Sequence, residues 1–288
     1  MAVTKVDRDS VQASLFEQWA VLEQLLRTLD DQAWSTPTAL PGWTVQDVAA
    51  HIVGTESVLD GQEAPRTPDP VLHAAHVHGP IGELNERWVE SMRRDSRAEI
   101  MDRWTLLLAR RRRALEDMPQ SEFDAEGPTP VGPDSYGRFM RIRVFDCWMH
   151  EHDIRDAVGR PGDEGGQRAE VAFEEIAGAI PFLVGKKAAA PDGARVRLEL
   201  TGPVTRTVDV QVDGRAAAVP ELDREPDVTV TMPSGVFVRL AGGRTTPADH
   251  DGAIVVDTAG AAGDGVGLSA EDAAALGERI PGALRFTI

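Results

Sequence analysis

The 288-residue chain holds a single cysteine, Cys147, so no intramolecular disulfide framework can staple it together. A lone thiol fits a reducing compartment. No run of about twenty apolar residues occurs that could cross a bilayer as a helix. The opening "MAVTKVDRDSVQ" also lacks the continuous apolar stretch of a secretory signal. The chain is therefore expected in the cytoplasm, with no membrane partner. Lysine is scarce: Lys5, Lys186 and Lys187 stand alone among arginines. Cations are outnumbered in any case, 30 Lys and Arg against 47 Asp and Glu, for a formal net charge of -17. That sign repels the phosphate backbone and argues against nucleic acid as a partner.

What is present falls into two periods. The length allows one large domain or two ordinary ones, and 42% apolar residues suffice for a sizeable core. From residue 8 to about 185 the pattern is helical. Leu15, Trp19, Leu22, Leu26 and Leu29 recur at three- and four-residue steps. A Pro41-Gly42 turn then leads to a second helix, where Thr44 can cap and Asp47 suits the positive helix start. Val48, Ile52, Thr55 and Leu59 form its inner stripe. Residues 61–80, with four prolines, read as a long connection. Helices are predicted over 81–95, 97–118 and 136–158, with a Pro/Gly-rich loop over 119–137. Gly159-Arg160-Pro161-Gly162 is a strong stop. Another helix, around 167–184, is expected to link the halves.

After "AAAPDGA" the period becomes two. Strands are predicted at 195–200, 206–212, 227–232 and 253–258, with one helix starting at Pro233 and another over 269–279. The fold class is α plus α+β: a helical bundle over 1–185 and a small α+β domain over 194–288.

One segment, "VFDCWMHEHDIRDAVGRPG" (144–162), is unusually rich in ionisable groups. Asp146 lies four residues after Ile142, and His150 four after Asp146. Both fall on the Phe139/Ile142 side, their β-carbons about 5–6 Å apart. Asp153 falls near that face, whereas Glu151 and Asp156 point elsewhere and can be solvated. A buried carboxylate and imidazole either satisfy each other or bind something, because unpaired burial is costly. His51, at the edge of the second helix's inner stripe, makes the pair an open three-ligand set. Two imidazole nitrogens and a carboxylate oxygen suit zinc or a similar divalent ion, with a position left for water or substrate. His73, His76 and His78 form a rival cluster, but their loop setting reads as solvated. Cys147 lies on another face and reads as a buried small side chain. Trp43 and Trp148 read as core.

The segments "LPGWTVQDVAAHIVGTE" and "RVFDCWMHEHDIRDAVGRPG" resemble the two signatures of the mycothiol-dependent maleylpyruvate isomerase family, within the DinB-like metalloenzymes. "PDVTVTMPSGVFVRLAGGR" is similar to the sterol-carrier-protein-like domain that many of these proteins append. The resemblance implies a four-helix bundle with a long crossover after the second helix. It also implies a divalent metal, usually zinc, on His51, Asp146 and His150. The isomerase itself is expected to use Glu where this chain has Asp146, a shorter arm by more than about 1 Å. Such a metal would lower the pKa of the thiol of mycothiol or another small thiol. Addition to an activated double bond, rotation and elimination would isomerise; addition or displacement alone would make an S-transferase. For an anionic substrate and the cosubstrate, Arg87 and Arg244 are candidate clamps. The partners expected are a small electrophile and the thiol, with the chain a monomer or homodimer. The alternative is a non-catalytic protein that binds metal or an apolar ligand on the same fold.

Overall fold

The computed structural model describes residues 3–68, 71, 73–262 and 267–286. Contacts divide the chain into two compact units, Met1–Asp163 and Glu164–Ile288.

The first unit is built on α1 (Arg8–Arg27), α2 (Val45–Leu59), α3 (Gly79–Met92), α4 (Arg97–Asp117) and α5 (Tyr136–Ala157). Helix α1 packs along α5, while α2 touches α3, α4 and α5. Helices α1, α2, α4 and α5 form the expected four-helix bundle, and α3 lies against α2. Leu15, Leu22 and Leu26 of α1, Ile52 of α2, Trp104 of α4 and Met140, Val144 and Trp148 of α5 are buried at its centre. Each start is chemically marked. Thr44 and Asp47 close a reciprocal capping box on α2, Ser96 and Glu99 do so on α4, and the Ser135 hydroxyl accepts from the Arg138 N–H on α5. Helix α3 approaches α2 where Gly54 carries no side chain. A β-carbon there would stand 2.4 Å from Trp88 Cβ.

The second unit begins with α6 (Gly166–Ala177) and continues through β1 (Arg195–Thr201), β2 (Arg206–Asp213), β3 (Arg215–Val219), β4 (Val228–Pro233), α7 (Ser234–Ala241), β5 (Val255–Asp257) and α8 (Ala270–Ala283). The sheet order is β3-β2-β1-β4-β5, with β1 and β4 parallel and the other pairs antiparallel. Val196 pairs with both Val210 and Val228, and these valines, with Leu198 and Val230, are buried. Phe173 of α6 stacks on Phe237 of α7 at 5.7 Å, and Arg206 of β2 pairs with Glu170 of α6.

Three features differ from the periodicity reading. The helix expected over 167–184 ends at Ala177, where Gly178 and then Pro181 break it into a short turn and a π-helical turn at Leu183–Lys187. That helix stacks on α7 and pairs with Arg206 of β2, and the compact units part some twenty residues before the change of period, between Asp163 and Glu164. Strand β3, "RAAAV", was not foreseen, because an edge strand of alanines shows no polar–apolar alternation.

Candidate functional site

Helices α2 and α5 bring His51, Asp146 and His150 together, with one possible ligand atom from each within 4.8 Å of the others. His51 Nε2 is 3.4 Å from Asp146 Oδ2, and His150 Nε2 is 3.5 Å from Asp146 Oδ1. The two imidazoles meet edge to face at 4.8 Å. Their side chains are 6% and 8% exposed, whereas Asp146 keeps 29%, so the opening to solvent lies on the carboxylate. On its far side, His150 Nδ1 meets Asp153 Oδ2 at 2.9 Å. The capping box that starts α2 sets where His51 falls, two turns later. The i, i+4 spacing on α5 sets the rest.

A buried charge network lies behind the carboxylate. Arg143 donates to Asp146 Oδ2 and, at 2.9 Å, to Glu56 Oε1; Arg111 of α4 donates to Glu56 Oε2 at 3.0 Å. On the other side stands Trp43, its ring centroid 5.2 Å from that of His51 and 6.3 Å from that of His150. Trp43 Nε1 donates to Glu86 Oε2 at 3.1 Å. The same oxygen meets His76 Nε2 at 3.3 Å, and Arg93 reaches Glu86 Oε1 at 2.7 Å. Gly42, at φ +80°, turns the chain just before Trp43, and a β-carbon there would run into the His76 ring at 2.8 Å.

These surroundings separate the protonation states. Burial holds His51 below the usual imidazole range, Asp146 only partly opposing it. Burial works against charge on His150 as well, but Asp146 and Asp153 outweigh it and push its pKa up to about 9. Asp146 lies well below the carboxylate range: burial opposes its charge, and Arg143, His150 and His51 overcome that. Cys147 is fully buried, and burial pushes its thiol up to about 12.

Comparison with known proteins follows the same division of the chain. The mycothiol maleylpyruvate isomerase N-terminal domain matches residues 15–155, and the C-terminal domain of that family matches 170–265. The chain belongs to the mycothiol-dependent maleylpyruvate isomerase family. The crystal structure of the mycothiol-dependent maleylpyruvate isomerase superposes with a TM-score of 0.56 at 17% identity, covering 88% of this chain and 96% of that one. A histidine-to-alanine mutant of it gives the same TM-score and coverage at 16% identity. At such identity the likeness is one of fold. An uncharacterized protein of Mycobacterium tuberculosis, matched in two strains, is 27% identical over 139 residues, 48% of this chain and 52% of the relative. The chain thus spans about half the length of the curated relatives it matches.

Within this family fold, three sequence expectations need correction. Glu151 is not solvated: it is fully buried, accepting from Gln18 Nε2 at 2.7 Å and pairing with Arg155 at 2.7 Å. His76 is not a free loop histidine, since Glu86 and the turn at Gly42 fix its ring. Trp43 is half-buried beside the two histidines rather than in the core. Arg143 was not foreseen at all, because a mid-helix arginine ordinarily reaches solvent. Its i, i+3 spacing to Asp146 is the one signal that could have found it. Arg87 is half-buried on α3 and makes no hydrogen bond or ion pair among the described residues. Arg244 is in the second unit, lining a shallow cleft of about 270 Å³ with Thr245, Thr246 and Arg285. Trp148 and Cys147 are core, as expected.

Proposed function

We propose that this protein is a metal-dependent enzyme that uses mycothiol or another low-molecular-weight thiol on a small electrophile. It acts as a cis–trans isomerase or an S-transferase, and maleylpyruvate is the first candidate substrate. The observation that carries the reading is the approach of two imidazole Nε2 atoms to opposite oxygens of one carboxylate, at 3.4 and 3.5 Å. These separations are long for charge-assisted hydrogen bonds. A tetrahedral ion at about 2.0–2.2 Å holds its donors about 3.3–3.6 Å apart, and one possible ligand atom from each of the three residues here lies within 4.8 Å of the others. The far nitrogen of His150 rests on a carboxylate, as ligating histidines usually do. The far nitrogen of His51 is buried with no partner among the described residues.

When bound there, a divalent ion would supply Lewis acidity that keeps a thiol as its thiolate near neutral pH. The chain cannot provide that sulfur itself. Cys147, its only cysteine, is buried and holds its proton. The nucleophile must therefore be a small cosubstrate, which enters by the opening at Asp146. His51, Asp146 and His150 hold the site, Asp153 orients the His150 ring, and Trp43 offers an apolar wall to a planar conjugated substrate. In isomerisation the thiolate adds to the activated double bond, the resulting single bond rotates, and elimination of the same thiolate restores the double bond. Addition without elimination, with the resulting carbanion taking a proton from water, gives the thiol conjugate. Arg87 and Arg244 remain candidates for clamping an anionic substrate.

Metal analysis of protein purified without a His tag should find one divalent ion per chain. The loaded protein should speed the isomerisation of maleylpyruvate by mycothiol beyond thiol alone, and His51→Ala should remove the gain. A bound ion with no rate gain on any electrophile would leave the non-catalytic binding protein as the better reading. No ion under zinc-replete conditions would sink the metal assignment.

A further inference from the structure

We infer that Arg143 is a positioning residue that sets the spacing of the two ligand-bearing helices and fixes the rotamer of Asp146. The inference rests on the metal reading above and deepens it. Arg143 is 2% exposed, and all three guanidinium nitrogens are engaged. Nε donates to Glu56 Oε1 at 2.9 Å, Nη1 to Asp146 Oδ2, and Nη2 to Cys147 Sγ at 3.3 Å. Glu56 sits five residues after His51 on the same helix, so the Arg143–Glu56 bond ties the helix carrying His51 to the one carrying Asp146 and His150. The tie is itself anchored. Glu56 is fully buried, and its other oxygen accepts from Arg111 Nε at 3.0 Å, while Arg111 Nη2 donates to the Tyr136 hydroxyl at 3.1 Å.

Stability alone is a poor explanation for this arrangement. Burying guanidinium and carboxylate groups costs desolvation that well-packed apolar side chains would avoid. A rigid planar fork, by contrast, can hold two carboxylates at a fixed distance and angle. One of the two is the shortest-armed member of the ligand set. With Oδ2 of Asp146 held by Arg143, the carboxylate cannot swing, and its two oxygens stay opposite the two Nε2 atoms. The short arm of Asp is thus matched by an enforced approach of α2 to α5.

Charge and position predict opposite signs on removal. A guanidinium beside a cation site repels the ion, so simple loss of charge would tighten binding. Loss of a positioning partner weakens it, typically ten- to a hundredfold.

The test uses the full chain and Co²⁺ alone as probe. Affinity is read by titration, coordination by the visible absorption bands, and folding by cooperative thermal unfolding. The double variant Arg143→Met, Glu56→Gln removes both charges of this pair together, and the new amide oxygen can still accept from Arg111 Nε. It should bind Co²⁺ about ten- to a hundredfold more weakly with shifted bands. Arg143→Lys keeps the charge but can satisfy fewer partners, so it should shift the bands the same way with a smaller loss of affinity. Should the double variant fail to fold, the lysine variant decides alone. Unchanged bands with unchanged or tighter binding in a folded variant overturn the inference while leaving the metal site standing. Failure of the unsubstituted protein to bind Co²⁺ overturns both.

Discussion

His150 Nδ1 lies 2.9 Å from Asp153 Oδ2, one helical turn along α5, and both residues are buried. The contact fixes the imidazole with Nε2 toward Asp146 and leaves that nitrogen as the one free to ligate. Asp153→Ala should lower zinc affinity about ten- to a hundredfold in a chelator competition while the bundle still melts cooperatively. Asp153→Asn, whose amide oxygen can still accept, should recover part of the loss. Equal affinities in all three proteins would remove the orienting role.

The two kinds of histidine in the first unit separate cleanly. His51 faces Asp146, whereas His76 faces Glu86. His51→Ala should abolish stoichiometric metal after dialysis, measured by atomic emission. His76→Ala should keep the metal and loosen Trp43. A comparable loss of metal in both would contradict the ligand set.

Cys147 provides a negative control for the thiol chemistry. Its sulfur contacts Arg143, and its pKa is pushed up to about 12 by burial. Cys147→Ala should cost roughly 1–2 kcal/mol in denaturant unfolding, as a small core truncation does. Thiol-dependent turnover should persist. Loss of turnover in a folded, metal-loaded Cys147→Ala protein would point to a protein nucleophile instead.

The metal-free protein should show a stability change with a definite sign. His150 is raised from an unfolded value of about 6.5 to about 9 in the fold. Its stabilising share is therefore fully present below about pH 6.5 and lost as pH rises through about 9. The depressed Asp146 acts at the opposite end, its share present above the unfolded carboxylate range of about 3.9 and lost as pH falls toward its folded value. The melting temperature of chelator-treated protein should fall between pH 6.5 and 9.5, and His150→Asn should flatten that limb. A flat limb in the unsubstituted protein would show that Asp146 and Asp153 do not hold a proton on the ring.

The helices that bring His51, Asp146 and His150 together were legible because their periodicity is clean. Asp146 and His150 share a face by their spacing alone, and His51 follows from the Thr44 cap and the inner stripe of α2. The remainder of the site arises from encounters that no local pattern contains. Glu86 and Glu151 look like solvated charges on amphipathic helices. They are buried because Trp43, His76 and Arg93 converge on one, and Gln18 and Arg155 on the other. Trp43 sits in a turn before a helix cap, where no period says which way a ring faces. Arg143 shows the same limit: its neighbour Asp146 is near in sequence, but Glu56, which makes its burial tolerable, lies on another helix.

The meeting of His76 with Glu86 gives the crossover between α2 and α3 two stretches of unequal freedom. Between Asp60 and Pro68 the chain forms no helix or strand, and lengthening such a loop costs only about 0.6 kcal/mol per doubling. Between His76 and the start of α3 at Gly79, one added residue would pull the imidazole away from a carboxylate set by the helix itself. Inserted tags or reporter sequences should therefore be accepted on the Asp60 side. The same insertion after His76 would disturb Trp43, and with it the ring beside His51, without altering His51, Asp146 or His150.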